Sequence, residues 1–380
     1  MYLLLILIML WRIGLIIIAW IGSFKFPFTP SFPYSEGLLV NSALPSWIWS
    51  FANFDGVHYI SIAKSGYIYQ FTQVFFPLYP LIVGLFHKIF PFFHIIISGL
   101  LISNISFFIA IYIFSKLLNL DYKKSIVYWT ISFLLVFPTS FFFGSFYTEG
   151  PFFLFIIASF YFARQKRWWL AALLGAIASA TRFPGIFLLP ALLWEKYQEY
   201  KLKNKKISLI SYLLSSPVVY LVPMGLIIYM IYLQLNFGDA LYFWHNQPVF
   251  GAERSGNSFV LLPQVLWRYS KILLTVSHIK YEFWVALSEL LFTLYAIILL
   301  FTASLKKIRP SYLIFSWLTV LIPTFSGTLS SMPRYVLIAF PVYITLALLK
   351  SRLLKLVLFV LSIIFFIIYT VVFTRGLWVG

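Results

Sequence analysis

Ionisable groups are scarce in this chain: ten Asp and Glu and five His among 380 residues that are 62% hydrophobic. So apolar a chain keeps charge at membrane depth mainly for ion paths, proton relays or substrate contacts. The stretch from Asn53 to Pro80, NFDGVHYISIAKSGYIYQFTQVFFPLYP, gathers three such groups, Asp55, His58 and Lys64. Asp55-Gly56 is a turn pair, and Val57 to Ala63 reads as a short helix. His58 follows Asp55 by three positions and Ile62 by seven, which keeps both near the carboxylate's face. Phe75 to Pro80, FFPLYP, predicts an extended, kinked path, because each Pro biases its predecessor away from helix. A carboxylate on a short helix, under a rigid aromatic-proline roof with Tyr79 as a substrate-binding candidate, would make a catalytic pocket at a membrane surface. The same residues also fit an interfacial helix on which Asp55 is only a cap.

Four further residues have types that suit group transfer. Glu149 follows Tyr147-Thr148 between two apolar runs. It is either a second carboxylate of the site or an acid at a helix N-terminus, gaining about 0.3–1 kcal/mol there. Arg182 lies in Ala180 to Gly185, ATRFPG, where an apolar pattern breaks. An arginine in a span costs about 2.5–3.5 kcal/mol on insertion scales, and a phosphate matched to its planar fork would offset that. A salt bridge to Glu149 or Asp55 would do the same. Arg334, after Met332-Pro333, is a second phosphate candidate or a snorkelling interfacial arginine, and Lys64 is a third. Asp239 either holds acceptor hydroxyls or caps a helix starting at Ala240. Asp55, His58, Glu149, Asp239 and His245 have the donor atoms for a divalent cation, but no ligand spacing demands one; no cofactor or metal is assigned.

The elements that must carry these residues follow from composition. Only 10% of residues are charged, far below a soluble domain, so the chain reads as an all-α polytopic membrane protein. The net charge of +18 sits in short clusters between apolar runs, a positive-inside pattern and not a nucleic-acid surface. No cysteine is present, which excludes disulfides, thiolate nucleophiles and Cys-ligated zinc. P-loop, Rossmann and HExxH signatures are absent. Residues 1–380 read as one membrane domain. Residues 1–22 form an uncleaved first span with Arg12 snorkelling, and 23–92 a first outer loop with interfacial helices. Residues 93–233 form spans, 234–280 a second outer loop, and 281–380 the C-terminal spans. About 9–11 transmembrane helices result. Trp168–Ala180 and Pro184–Trp194 are read as a hairpin broken at Thr181 to Gly185, a break tolerated only inside protein or beside a wet cavity. Lys196 to Lys206 reads as a cytoplasmic loop. Seventeen of the 28 Lys and Arg fall in five inner clusters, which puts the N-terminus inside and Asp55, Glu149, Asp239 and Arg334 on the outer face.

The motifs DGxHY, IAxxGY and FFPLYP of the first loop resemble the GPI mannosyltransferase 2 family, which has prokaryotic relatives. So do Phe137-Pro138-Thr139-Ser140 with Tyr147-Thr148-Glu149, Ala180 to Gly185, Gly238-Asp239-Ala240-Leu241 and Met332-Pro333-Arg334-Tyr335, in order between Trp47 and Pro341. The resemblance implies a GT-C-type helical bundle. It implies mannose transfer from a polyprenyl-phosphate donor to a hydroxyl of a glycan, glycolipid or protein, at the outer face of a prokaryotic cell membrane. Asp55 would be the base, since such enzymes carry an essential acid in the first outer loop; His58 would orient Asp55 or touch phosphate. Arg182 and Arg334 would hold the departing phosphate. Membrane lipids are partners and nucleic acid is not. A transporter or lipid-linked glycan flippase, with broken helices and a midplane arginine, is the alternative, and a non-catalytic membrane subunit a further one.

Overall fold

The computed structural model describes residues 2–202, 217–251, 254–256 and 258–379, and among these there are helices and no strands. We number the helices of seven or more residues in chain order. They are α1 (Tyr2–Lys25), α2 (Asp55–Ser65), α3 (Leu78–Ile89), α4 (Ile95–Asn119), α5 (Lys124–Leu135), α6 (Glu149–Arg164), α7 (Trp168–Thr181) and α8 (Leu188–Leu202). After them come α9 (Met224–Phe237), α10 (Leu262–Thr275), α11 (Tyr281–Leu305), α12 (Pro310–Thr324), α13 (Met332–Ile338), α14 (Pro341–Ala347) and α15 (Arg352–Thr374).

Among the described residues five helices are long and apolar enough to cross a membrane: α1, α4, the run Pro217–Phe237 that ends in α9, α11 and α15. Four more apolar helices, α3, α5, α7 and α12, have 10–17 residues. Of the nine to eleven crossings expected from the sequence, five are thus present at full length among the described helices. Several long runs break, each for a local reason. The run from Ser125 to Phe143 stops being α-helical at Leu135, ahead of Pro138, and resumes as a 3₁₀ segment at Ser140–Gly144. Val336 to Leu349 divides at Ala339-Phe340, where Pro341 begins α14 and removes a backbone donor.

Three sequence expectations need correction. FFPLYP is extended at Phe75 but not throughout. Pro77 has helical torsions and precedes α3, and Pro80 sits in its first turn, where backbone N–H groups lack intrahelical partners and proline costs little. Lys196 to Leu202 is not loop but the end of α8; Lys203 to Lys206, and the start of the span expected from Ile207, lie outside the described residues. Arg12 does not reach for an interface: its guanidinium donates to the Gly144 carbonyl at 3.2 Å and lies 5.2 Å from the centre of the Phe51 ring.

The bundle is built around α6, which packs between α4 and α7. Its inner faces carry stacked and tilted aromatic rings, among them Phe107, Phe143 and Phe153. The end of α6 at Arg164 is tied by charge: Arg164 grips Asp121 with bonds of 2.6 and 2.9 Å and donates to Tyr312 at 2.9 Å. Beside it, Arg309 and Ser311 converge on buried Glu195 of α8. The other end of α6, at Glu149, forms the floor of the site.

Helix α7 meets α9 at Gly225, where an added Cβ would lie 2.1 Å from the Ala176 carbonyl oxygen and 2.6 Å from the Ala180 nitrogen. Both contacts are backbone, so a methyl group must part the helices. Gly225→Ala is expected to cost about 1–3 kcal/mol, as overpacking does, and to lower the thermal unfolding midpoint in detergent; an unchanged midpoint would contradict this contact.

Candidate active site

Asp55 is the first residue of α2, and the chain just before it is held on several sides. Phe54 has φ +55°, a left-handed torsion rare for a bulky side chain. Its ring is packed against Phe32, Phe373 and Trp378. Asn53 donates to the Phe373 carbonyl at 2.7 Å, and the Tyr147 hydroxyl donates to the Asn53 carbonyl at 2.8 Å. Strain of this kind persists where surrounding packing over-determines it, and it clusters at functional sites. Ser331, immediately before α13, is a second case at φ +65°; α13 carries Arg334.

Arg182 occupies the break between α7 and a 3₁₀ turn at Phe183–Phe187, with extended torsions. Gly185 lets the chain return onto α7, since a Cβ there would lie 2.4 Å from the Ala178 carbonyl carbon.

These elements bring four charges into a row. Arg334 donates through Nη1 to Asp55 Oδ2 at 2.6 Å and through Nε to Glu149 Oε1 at 2.7 Å. Arg182 Nη1 donates to the same Glu149 oxygen. The order Asp55, Arg334, Glu149, Arg182 alternates in sign. Arg334 is also flanked by the rings of Phe142 and Tyr147, 5.0 and 4.9 Å from its central carbon. Glu149 is 0% exposed, whereas the Asp55 side chain keeps 21% of its surface.

A cavity of about 1180 Å³ opens on this row. Asp55, His58, Arg182 and Arg334 line it; Glu149 lies behind the wall and contacts the cavity only through its two arginines. His58 stacks on Phe75 at 4.9 Å. Burial pushes the Asp55 carboxyl up, but the charge and hydrogen bond of Arg334, helped by His58 and Arg254, outweigh it and hold the group below the ordinary carboxylate range. Asp55 is therefore ionised at neutral pH. Its pairing stabilises the fold above the unfolded value of about 3.9, and that contribution is lost as pH falls below it. Burial pushes the His58 imidazole down more than Asp55 draws it up, so His58 is neutral at pH 7.

The other named residues lie elsewhere. Tyr79 enters the first turn of α3 and points into α4, its buried hydroxyl 3.1 Å from the Gly99 carbonyl and 2.9 Å from Ser103 Oγ. Lys64 is exposed in the last turn of α2, about 14 Å along the helix from Asp55. Asp239 accepts from the Leu241 N–H at 2.8 Å and pairs with His245 at 2.7 Å, a turn contact ahead of the short helix Tyr242–His245, whose N-cap is Leu241, so no helix starts at Ala240. None of the three lines the cavity.

The structure adds residues that the sequence reading passed over: Arg254, Arg268, Tyr269 and Glu289 all line the cavity. The Tyr269 hydroxyl donates to Glu289 Oε2 at 2.6 Å and lies 3.0 Å from Thr328 Oγ1. Glu289 is the acid in the body of apolar α11, whose other acid, Glu282, sits in the first turn, and that position was itself a legible signal of function. Among the described residues no three His, Cys, Asp or Glu side chains are grouped to hold a metal ion.

Membrane-length apolar helices around a chamber walled by carboxylates and guanidiniums define a polytopic membrane protein with a charged binding site. The chain belongs to the mannosyltransferase (PIG-V) family, whose sequence model matches residues 1–286. No curated protein sequence matches it. Membership makes the chain a membrane glycosyltransferase and sets aside the transporter and non-catalytic alternatives. The matched region contains Asp55, Glu149 and Arg182; Arg334 lies beyond it.

Removing one partner of a buried pair strands the other charge and costs about 3–5 kcal/mol. Glu149→Ala is expected to destabilise the protein by about that amount, and adding Arg182→Met to recover part of it. A double-mutant cycle in thermal or denaturant unfolding reads the coupling; zero coupling would contradict the pair.

Proposed function

We propose that this enzyme transfers mannose from polyprenyl-phosphate mannose to a hydroxyl of a glycan, glycolipid or protein, on the non-cytoplasmic face of a prokaryotic membrane, with Asp55 as general base. The observation that carries this reading is the ionised Asp55 carboxylate in the wall of a cavity that also presents arginines.

The acceptor hydroxyl gives its proton to Asp55 as its oxygen bonds to the sugar's anomeric carbon. The bond from that carbon to the phosphate oxygen breaks, and its electron pair leaves with polyprenyl phosphate. One carboxylate suffices for an inverting displacement, and a phosphate leaving group needs no acid. A paired aspartate is a weak base at rest, but the attacking hydroxyl becomes strongly acidic as the new bond forms, so proton transfer is downhill late in the step. Neutral His58, on the same face of α2, borders Asp55 and can orient the acceptor. Arginines of the cavity stabilise charge that develops on the departing phosphate.

Two features support the donor class and the sidedness. The cavity joins its guanidiniums to apolar wall formed by Phe71, Val74, Phe76, Ile272 and Val285, which suits a phosphate on a hydrocarbon tail. The Lys166 and Arg167 cluster follows the end of α6 remote from the cavity, in line with lysine-rich loops facing the cytoplasm.

Asp55→Asn is expected to lower transfer from labelled polyprenyl-phosphate mannose by about 10²–10⁴-fold in purified protein. Equal transfer by both proteins would remove Asp55 as base. Because Asp55 is held below the ordinary carboxylate range, wild-type kcat/KM should show no acid limb from this group between about pH 5 and 8; a limb in that window that disappears in Asp55→Asn would contradict the assignment.

A further inference from the structure

Four arginines face the cavity: Arg182, Arg254, Arg268 and Arg334. Two are already matched with acids. Arg334 is spread over Asp55 and Glu149, and Arg182 holds Glu149. For either to turn fully to an incoming anion, a carboxylate with no exposed surface must lose a partner, and nothing else among the described residues neutralises Glu149.

Arg254 stands differently. Its guanidinium donates only to neutral oxygens, Nη1 to Gln247 Oε1 at 3.2 Å and Nη2 to the hydroxyls of Ser330 and Ser331 at 3.3 Å each. These are long for hydrogen bonds to a charged donor. Among the described residues no carboxylate lies within 4.0 Å of it. Its charge nevertheless reaches two acids of the cavity wall, Asp55 and Glu289. Ser330 and Ser331 line the cavity themselves and lead directly into α13, so a ligand on Arg254 adjoins the element that holds Arg334.

Resting on the donor reading above, we propose that Arg254, with Ser330 and Ser331, is the seat of the donor's phosphate, and that Arg182 and Arg334 instead keep Asp55 and Glu149 ionised and in place. A phosphate offers several acceptor oxygens to the guanidinium fork and to two hydroxyl donors. It would replace three weak neutral contacts and disturb no buried ion pair. The donor is a phosphodiester with one negative charge; the departing monoester carries about −1.5 to −2 at neutral pH. Attraction to Arg254 therefore grows along the reaction, as transition-state stabilisation requires.

The test uses the purified full-length protein and two probes, a radiolabelled polyprenyl monophosphate and the matching uncharged polyprenol. Wild type is expected to bind the phosphate in preference to the alcohol. Arg254→Gln should lose about tenfold or more of that preference, the size expected for hydrogen bonds to a charged group. Arg254→Lys should keep part of it, and Asp55→Asn all of it. Full preference in folded Arg254→Gln overturns the seat while the donor reading stands. No preference in wild type overturns the donor reading and the seat with it. Should Arg254→Gln not fold, the Ser330→Ala, Ser331→Ala double variant takes its place: a several-fold loss supports the seat and no loss overturns it.

Discussion

A carboxylate sealed from solvent cannot stay charged without compensation, and Glu149 obtains it from two guanidiniums at one oxygen. The residues involved stand 33 and 185 positions apart from it in the chain. Closing the bundle and neutralising this group are therefore one event. The energetics are asymmetric: the assembled pair adds little net stability over apolar packing, but a missing member leaves a stranded charge. Arg334 extends the same neutralisation outward to Asp55, so an acid that reaches the cavity is positioned by one that does not.

The frame around Asp55 draws on parts of the chain remote from its own loop. Phe373, at the end of α15, takes the Asn53 amide and packs on Phe54, and Trp378 closes over the same ring. Those residues, like Arg334, follow the region that the family's sequence model matches. The C-terminal spans thus complete the site as much as they complete the bundle, and the left-handed torsion at Phe54 is held by aromatic contacts from both halves of the molecule.

The class of fold was legible because it rests on composition: a chain so apolar can satisfy its backbone in a bilayer only as helix or closed barrel, and its long apolar runs choose helix. The short helix behind Asp55 and the break at Arg182 were legible from turn residues and a misplaced charge. The path of FFPLYP was misread because the rule for residues before proline ignores the first helical turn, where proline fits. Glu149 was seen as a candidate, but its burial could not be read, since nothing local separates an acid that meets substrate from one that holds arginines. Arg254 escaped notice inside a polar loop, where an arginine looks ordinary until the fold places it beside two serines from residues 330–331.

Helix α6 is anchored by charge at both of its ends, Glu149 at the start and Arg164 at the finish. Its 16 residues measure about 24 Å, less than the roughly 30 Å of hydrocarbon in an average bilayer. Across a bilayer of that thickness the two charged layers cannot both lie beyond the hydrocarbon, so ion pairing inside the protein must shelter at least one of them. Where that layer is the one at Glu149, the phosphate of the proposed lipid-linked donor would have to sink below the ordinary headgroup plane, or the leaflet thin around the protein, before the two could meet. The long, pliant isoprenoid tail of that proposed donor would make the descent easier than a stiff, ordered chain.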